Sequence, residues 1–216
     1  MKIYLSPSKL EKFRDVASEK FGATPNDFRA YCMGIYETTE AMARGRAYHQ
    51  ILEFGEKAGL IDGDYRLFQE AGFNFSFHSE ACKPALDLHN SYSEMIKEMW
   101  LNWSCFVNGY EVILRMRADG IDGLHLHEFK TTGTKKDYLT YFESLQWRCY
   151  CLAMPELQKV IYHVFQLGTK NDWCRYERLE YLPEPYEEME KMVKSCIADL
   201  ISWSEGDNEL MNALKR

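Results

Sequence analysis

The chain has 216 residues, of which 46% are hydrophobic and 27% charged, with 13 Gly and 6 Pro. That balance belongs to a chain able to bury a sizeable core, and it excludes disorder, collagen-like repeats and low-complexity linkers over most of the length. The net charge of −7 speaks against a uniformly basic nucleic-acid surface, although a carboxylate-rich metal site can sit in a locally basic cleft.

A first helix is expected from about Ser6 to Glu19: Ser6 suits the cap, Pro7 the first helical position, and Leu10, Phe13 and Val16 form a stripe. Thr24-Pro25-Asn26-Asp27 reads as a second helix start with Asp27 placed to reach back. A third helix is expected over about Thr39–Ala58, with Tyr48, Ile51, Leu52 and Gly55 on one side and Gly59 near its end. From Tyr65 the period changes, and Phe73, Phe75 and Phe77 alternate as in a half-buried strand. Residues 88–101 read as helix, with an ambiguous Trp100–Trp103 region. Strands over Tyr110–Asp119 and Leu124–Thr132 come next, then a helix over about Asp137–Met154, strands near Val160–Gln166 and Trp173–Leu182, and a last helix over about Pro185–Ser204. Its stripe of Met189, Met192, Val193, Cys196, Ile197, Leu200 and Ile201 reads as core packing. The pattern predicts one α/β or α+β domain over residues 1–216.

No apolar run is long enough to cross a bilayer. The opening Met1-Lys2-Ile3-Tyr4-Leu5-Ser6-Pro7 meets charge and proline too early for a secretory signal, so a cytoplasmic protein without membrane association is expected. Seven Cys without a CxxC argue for reduced, mostly buried thiols and against a zinc ribbon.

The stretch from Leu114 to Thr132 carries the chemistry. Asp122-Gly123 between alternating runs signals a two-residue turn. With that turn, Ile121 faces Leu124, Asp119 faces Leu126, Arg117 faces Glu128 and Arg115 faces Lys130. Asp119 and Glu128 then become diagonal neighbours on one face, about 7–8 Å apart at the backbone, with Lys130 beside them. Mg²⁺ takes one or two carboxylates and keeps several waters; the Phe129 carbonyl offers another oxygen, and the lysine can position a water or neutralise a phosphate. The same residues also fit a solvated face with cross-strand ion pairs from Arg115 and Arg117 to Glu128. Asp122 is a weaker candidate than Asp119 because it sits in the turn. His125-Leu126-His127 resembles a metal pair but faces away from Glu128.

Taken together, Asp119, Glu128-Phe129-Lys130 with the following Thr131-Thr132, Gly45-x-x-x-His49 upstream, Gln146-x-x-x-Tyr150 downstream and the Leu5-Ser6-Pro7-Ser8-Lys9-Leu10-Glu11-Lys12-Phe13 opening resemble the PD-(D/E)XK nuclease superfamily, in its RecB-like exonuclease branch. The resemblance covers about residues 5–153 in order. It implies a restriction-endonuclease-like α/β core, a central mixed sheet flanked by helices. It implies Asp119, Glu128 and Lys130 as catalytic residues, and Mg²⁺ or Mn²⁺ held by His49, Asp119, Glu128 and the Phe129 carbonyl. Glu53, four residues after His49 and so on the same helical face, would ligate the metal or orient His49. Gln146 and Tyr150 would contact DNA or steady Lys130, and Arg117 and Arg44 would help hold the strand. Arg46, Lys135, Lys136 and Arg148 add charge nearby, and basic groups among aromatics suit single-stranded or frayed DNA.

The expected activity is hydrolysis of DNA phosphodiesters, as an exonuclease in recombination, repair or phage DNA metabolism. The expected partner is DNA, single-stranded or with duplex ends, alongside a possible helicase partner or homo-oligomer. The cysteine spacing does not reproduce the trailing cluster of iron–sulfur relatives, so no such cluster is expected. Two other classes stay open: a non-cleaving binding member of the same fold, and a metal hydrolase for a small substrate.

Overall fold

A computed structural model describes residues 1–19, 22–134 and 138–215. Strand β1 (Lys2–Leu5) precedes helices α1 (Pro7–Ala17), α2 (Pro25–Met33) and α3 (Glu40–Phe54). Strands β2 (Leu60–Asp62), β3 (Tyr65–Glu70) and β4 (Phe73–His78) lead into α4 (Ser79–Ser91). The long strands β5 (Ile96–Val107), β6 (Tyr110–Asp122) and β7 (His125–Thr132) follow. Then come α5 (Tyr138–Phe142), α6 (Leu145–Ala153), β8 (Lys159–Leu167), β9 (Cys174–Tyr181), α7 (Tyr186–Ser204) and α8 (Asn208–Leu214). The basic pair Lys135 and Lys136, and the expected helix start at Asp137, lie outside the described residues.

The architecture is mixed α/β. Six strands form a central mixed sheet in the order β1-β6-β7-β8-β9, with β5 also on β6; β1–β6 and β7–β8 are parallel and the other pairs antiparallel. Strands β2–β4 make a separate antiparallel sheet. Alternation along β8 shows how the layers stack. Val160, Tyr162 and Val164 join a core with Leu10 and Phe13 of α1, Trp147 and Cys149 of α6, and Ile197 and Leu200 of α7. Phe165 and Leu167 join a second core with Tyr48 and Ile51 of α3, Phe75 and Phe77 of β4, and Ala85 of α4. The parallel pair β7–β8 is thus covered on both faces, which parallel strands ordinarily require.

Local chemistry explains the element starts. The Ser6 side chain accepts from Lys9 N at the head of α1. Thr24 and Asp27 form the reciprocal capping box at α2, and Thr39 caps α3. Asn108 and Gly109, at φ 49° and 79°, make the type I′ turn joining β5 to β6.

Four expectations are corrected. Residues 88–101 are not a helix: α4 ends at Ser91 and Ile96 begins a strand. Helix α3 closes at Gly55, φ 57°, before the expected Gly59. The expected helix over 137–154 is two helices, because Ser144 starts a new cap by accepting from Gln146 N. Finally, the β6–β7 turn is Gly123-Leu124, since Asp122 pairs with His125 and Gly120 with His127. Gly123 stands at the first central position with φ 58°, as a type II′ turn requires. The register is therefore displaced by two residues from the one expected, and a two-residue shift preserves which face each side chain occupies.

Candidate active site

Glu128 is the centre of the site. It lies in β7 and is only 4% exposed, yet both its oxygens are satisfied. Lys130 Nζ donates to Oε1 at 2.8 Å and Gln146 Nε2 to the same oxygen at 2.7 Å, while the Tyr150 hydroxyl lies 2.9 Å from Oε2. Lys130 also donates to Gln146 Oε1 at 2.8 Å, and Gln146 Nε2 reaches the Tyr150 oxygen at 3.0 Å. The phenol has one proton and two acceptors in range, Glu128 and the Arg117 carbonyl at 3.1 Å; the charged acceptor makes the stronger bond. Two elements build this network. Strand alternation puts Glu128 and Lys130 on one face of β7, and the four-residue spacing puts Gln146 and Tyr150 on one side of α6.

Asp119 joins from β6. Its Oδ2 accepts the Phe129 amide at 2.7 Å, one residue beyond the last β6–β7 backbone pair at Gly120 and His127. Burial pushes the Asp119 carboxyl up, opposed by Lys130, the Phe129 amide and Arg117. Burial also pushes Glu128 up; Lys130 opposes this and Asp119 adds to it. Asp119 thus disfavours charge on Glu128, and Lys130 offsets both carboxyls, with Arg117 helping at Asp119. Such a pair is short of positive charge.

His49 approaches from α3. Its ring lies 6.4 Å from that of Phe129, and burial with Lys130 nearby lowers it to about 4 against the opposing pull of Glu128. It is therefore a neutral imidazole at pH 7, the form that binds metal. Gly45 explains how α3 comes so close to β7. A Cβ there would sit 2.6 Å from Thr131 Oγ1. The Gly-x-x-x-His spacing thus places a contact point and an imidazole on the helical face turned to β7.

Glu53 does not take the role expected of it. Its side chain is exposed and, among the described residues, makes no hydrogen bond to the His49 ring; its carbonyl accepts from Lys97 at 3.1 Å. The last turn of α3 packs on α4 and Lys97 instead of β7: His89 Nδ1 lies 2.9 Å from the Leu52 carbonyl. Tyr150, 1% exposed, holds Glu128 instead of reaching outward to a substrate. Arg44 is engaged by Asn171 Oδ1 at 2.6 Å and by the Gly168 carbonyl, which fixes the β8–β9 loop to α3. Arg148 is buried and ion-paired with Glu184. Arg117 faces Glu98 at 3.2 Å, not Glu128.

Three further residues went unnoticed in the sequence. Tyr162 is the β8 partner of Glu128, its ring 5.7 Å from Lys130 Nζ. Glu11 accepts from the Ser144 hydroxyl at 2.9 Å and from the Leu145 amide, holding α6 in place from α1. His163 bonds His127 Nδ1 at 2.8 Å and Tyr176 at 2.8 Å on the opposite face of β7, with His127 Nε2 left without a partner. No local pattern points to these residues, because each depends on which strand or helix lies alongside. A cleft of about 1160 Å³ opens beside Lys130 and Gln146, and Glu11, Asp15, Glu143, Glu188 and Asp199 line it against Arg14 and Lys191.

Among the described residues no group of three His, Cys, Asp or Glu side chains is close enough to hold a metal ion together. Asp119 acts electrostatically on Glu128, and the neutral His49 imidazole feels both Glu128 and Lys130. Carboxylates are the donor type of a magnesium-type ion, which binds through one or two of them and retains water.

No family model matches the chain, and no curated protein matches it. A solved structure described as "Crystal structure of SSO0001" is similar, with a TM-score of 0.51 and 14% identity over 91% of this chain and 75% of that one. At that identity the likeness concerns the fold. No helix among the described residues is long and apolar enough to cross a membrane.

Proposed function

We propose that the chain is a metal-dependent nuclease that hydrolyses DNA phosphodiesters, with Asp119, Glu128 and Lys130 as its catalytic residues. The observation that carries the reading is the buried Glu128–Lys130 pair at 2.8 Å, cross-bonded by Gln146 and flanked by Asp119. A structural ion pair needs no second carboxylate pressed beside it in a poorly solvated spot. A cation site gains from one.

In this reading Asp119, Glu128, the Phe129 carbonyl and His49 hold Mg²⁺ or Mn²⁺. Such an ion supplies charge stabilisation at the phosphate and a more acidic water. Lys130 Nζ has one donor left after its bonds to Glu128 and Gln146 and orients the attacking water or a phosphate oxygen. Gln146 and Tyr150 are positioning residues: they fix the Glu128 oxygens and hold the lysine in one place. His49, neutral at working pH, needs to lose no proton to act as a ligand.

The test is incubation with end-labelled linear and circular DNA in Mg²⁺, Mn²⁺ or chelator. Cleavage in metal, none in chelator, and loss in Asp119→Asn and Lys130→Ala is the expected result. Lys130→Ala leaves a buried carboxylate without its cation, so circular dichroism at assay temperature accompanies it. A Lys130→Ala protein that cleaves at the wild-type rate overturns the mechanism. The carboxylate-lined cleft beside Lys130 favours a second reading, a hydrolase for a small neutral or cationic substrate, because its walls repel a phosphate backbone. Activity that is flat with salt would favour it over DNA.

A further inference from the structure

On one face of the central sheet, α3 and α4 cover β7–β9, while among the described residues no helix lies over β5, β6 and β1. Along β5 the side chains of Ile96, Glu98, Trp100, Asn102, Ser104 and Phe106 are all exposed, while Leu101, Trp103, Cys105 and Val107 between them are core. Trp100 is 65% and Phe106 76% exposed, an unfavourable placement for two large aromatic rings unless something covers them.

The neighbouring strands add cations to the same face. Arg117 pairs with Trp100 and Arg115 with Asn102 across the β5–β6 ladder. The Arg117 guanidinium lies 5.9 Å from the Trp100 ring centre, and that of Arg115 lies 4.1 Å from the Tyr4 ring of β1. Arg115 makes no ion pair among the described residues, and Arg117 has only the exposed Glu98. Other arginines near the site are committed elsewhere: Arg44 to the β8–β9 loop, Arg46 to Glu70 and Arg148 to Glu184. Besides Asp119 at its end, the carboxylates on this face among the described residues are Glu98 and, at the far end, Glu111, which Lys2 neutralises at 3.2 Å. An exposed row of aromatics beside one guanidinium without an ion pair and one paired only to an exposed carboxylate is the chemistry of a single-strand platform: π-faces take bases of any sequence and the cations follow the phosphates.

The row also has a direction. Two residues beyond Arg117 on β6 is Asp119, whose carboxyl feels both Arg117 and Lys130. Phe106 to Trp100 spans about 20 Å of strand, room for several stacked bases.

We propose that the uncovered β5–β6–β1 face is a stacking platform for single-stranded nucleic acid, with bases on Trp100 and Phe106 and phosphates on Arg115 and Arg117, and that it delivers the strand to Asp119. The delivery rests on the nuclease reading; the binding does not. Binding and cleavage are therefore measured apart.

Fluorescence anisotropy with labelled single-stranded oligothymidylate, its oligouridylate counterpart and a duplex, all in chelator, tests the platform. The wild type should bind the single strands better than the duplex. The Trp100→Ala, Phe106→Ala double variant should lose at least tenfold, and Arg115→Gln should weaken binding and flatten its salt dependence. Equal loss for both oligomers assigns the face to base stacking shared by DNA and RNA; loss for one alone narrows the substrate to that polymer. No wild-type single-strand binding at low salt, or binding unchanged in both variants, overturns the proposal. So does a wild-type dimer by light scattering that the double variant turns to monomer without any change in oligonucleotide binding, which would make this face a contact between copies. Cleavage that persists while binding is unchanged in the variants removes the platform and leaves the nuclease. Platform-dependent binding with no cleavage in any metal does the reverse.

Discussion

The resemblance gives Tyr150 two possible roles, contacting DNA or steadying Lys130, and its 1%-exposed side chain puts the hydroxyl 2.9 Å from Glu128 Oε2. Tyr150→Phe keeps the ring in the core and removes only the hydroxyl. The lost bond to a charged, buried acceptor is worth on the order of 1–2 kcal/mol, so the thermal midpoint should drop by roughly 2–8 °C. Cleavage should fall about tenfold through kcat, since Glu128 is no longer held. A raised KM with kcat intact would restore Tyr150 to a substrate contact. The hairpin pattern put Asp119, Glu128 and Lys130 side by side beforehand, and the family resemblance pointed to His49 and Gln146; each rides on a short periodic element. Glu53 was misjudged for the same reason: helical spacing gives a shared face, but not where the helix leaves the sheet. Tyr162 and Glu11 had no signature, being brought in by the parallel neighbour of β7 and by α1.

At the scale of elements, the crossing of α3 over β7 depends on Gly45. Ala in place of Gly ordinarily favours a helix by about 0.8–1 kcal/mol. Here the added carbon meets Thr131 Oγ1 at 2.6 Å, so Gly45→Ala should destabilise the chain and, by shifting α3, weaken metal binding through His49. Adding Thr131→Ala removes the obstructing oxygen and should recover most of the loss in chemical denaturation. A single variant as stable as the wild type would mean that α3 and β7 have slack at this crossing. The capped helices α1 and α2 and the alternating Phe residues of β4 were readable because their signals are local. Strand β5 was not. Its outward positions carry Ile96, Trp100 and Phe106 where a half-buried strand would show polar residues, so its alternation is masked by the residues that make its surface unusual.

Across the whole molecule the buried histidines and the buried carboxylates respond to acid in opposite senses, and His49, lowered to about 4, acts with the histidines. Behind β7, burial first, and then mutual repulsion for His163, lowers His127 to about 4 and His163 to about 3. Their ordinary value is about 6.5, so the unfolded chain takes up protons that the folded one refuses. Their contribution is intact above about pH 6.5 and declines toward the folded values, at about 1.4 kcal/mol per pH unit for each histidine. Asp119 and Glu128, both raised, hold protons more tightly when folded and work the other way as the pH drops toward the carboxylate range. Denaturation midpoints measured from pH 7 to pH 5 should therefore fall, and His163→Leu should flatten that slope; an equally steep slope in the variant would place the sensitive groups elsewhere. Strand β6 changes neighbours along its length, with β1 beside Glu111–Leu114 and β7 beside Gly120–Asp122. The sheet therefore forks, and the Asp119 carboxylate on the Phe129 amide is the stitch at the crotch of that fork. An inactive Asp119→Ala protein would consequently be ambiguous, having lost an acid and a seam together. Asp119→Asn keeps a carbonyl oxygen for the amide, and hydrogen exchange at Phe129 tells whether the seam has held.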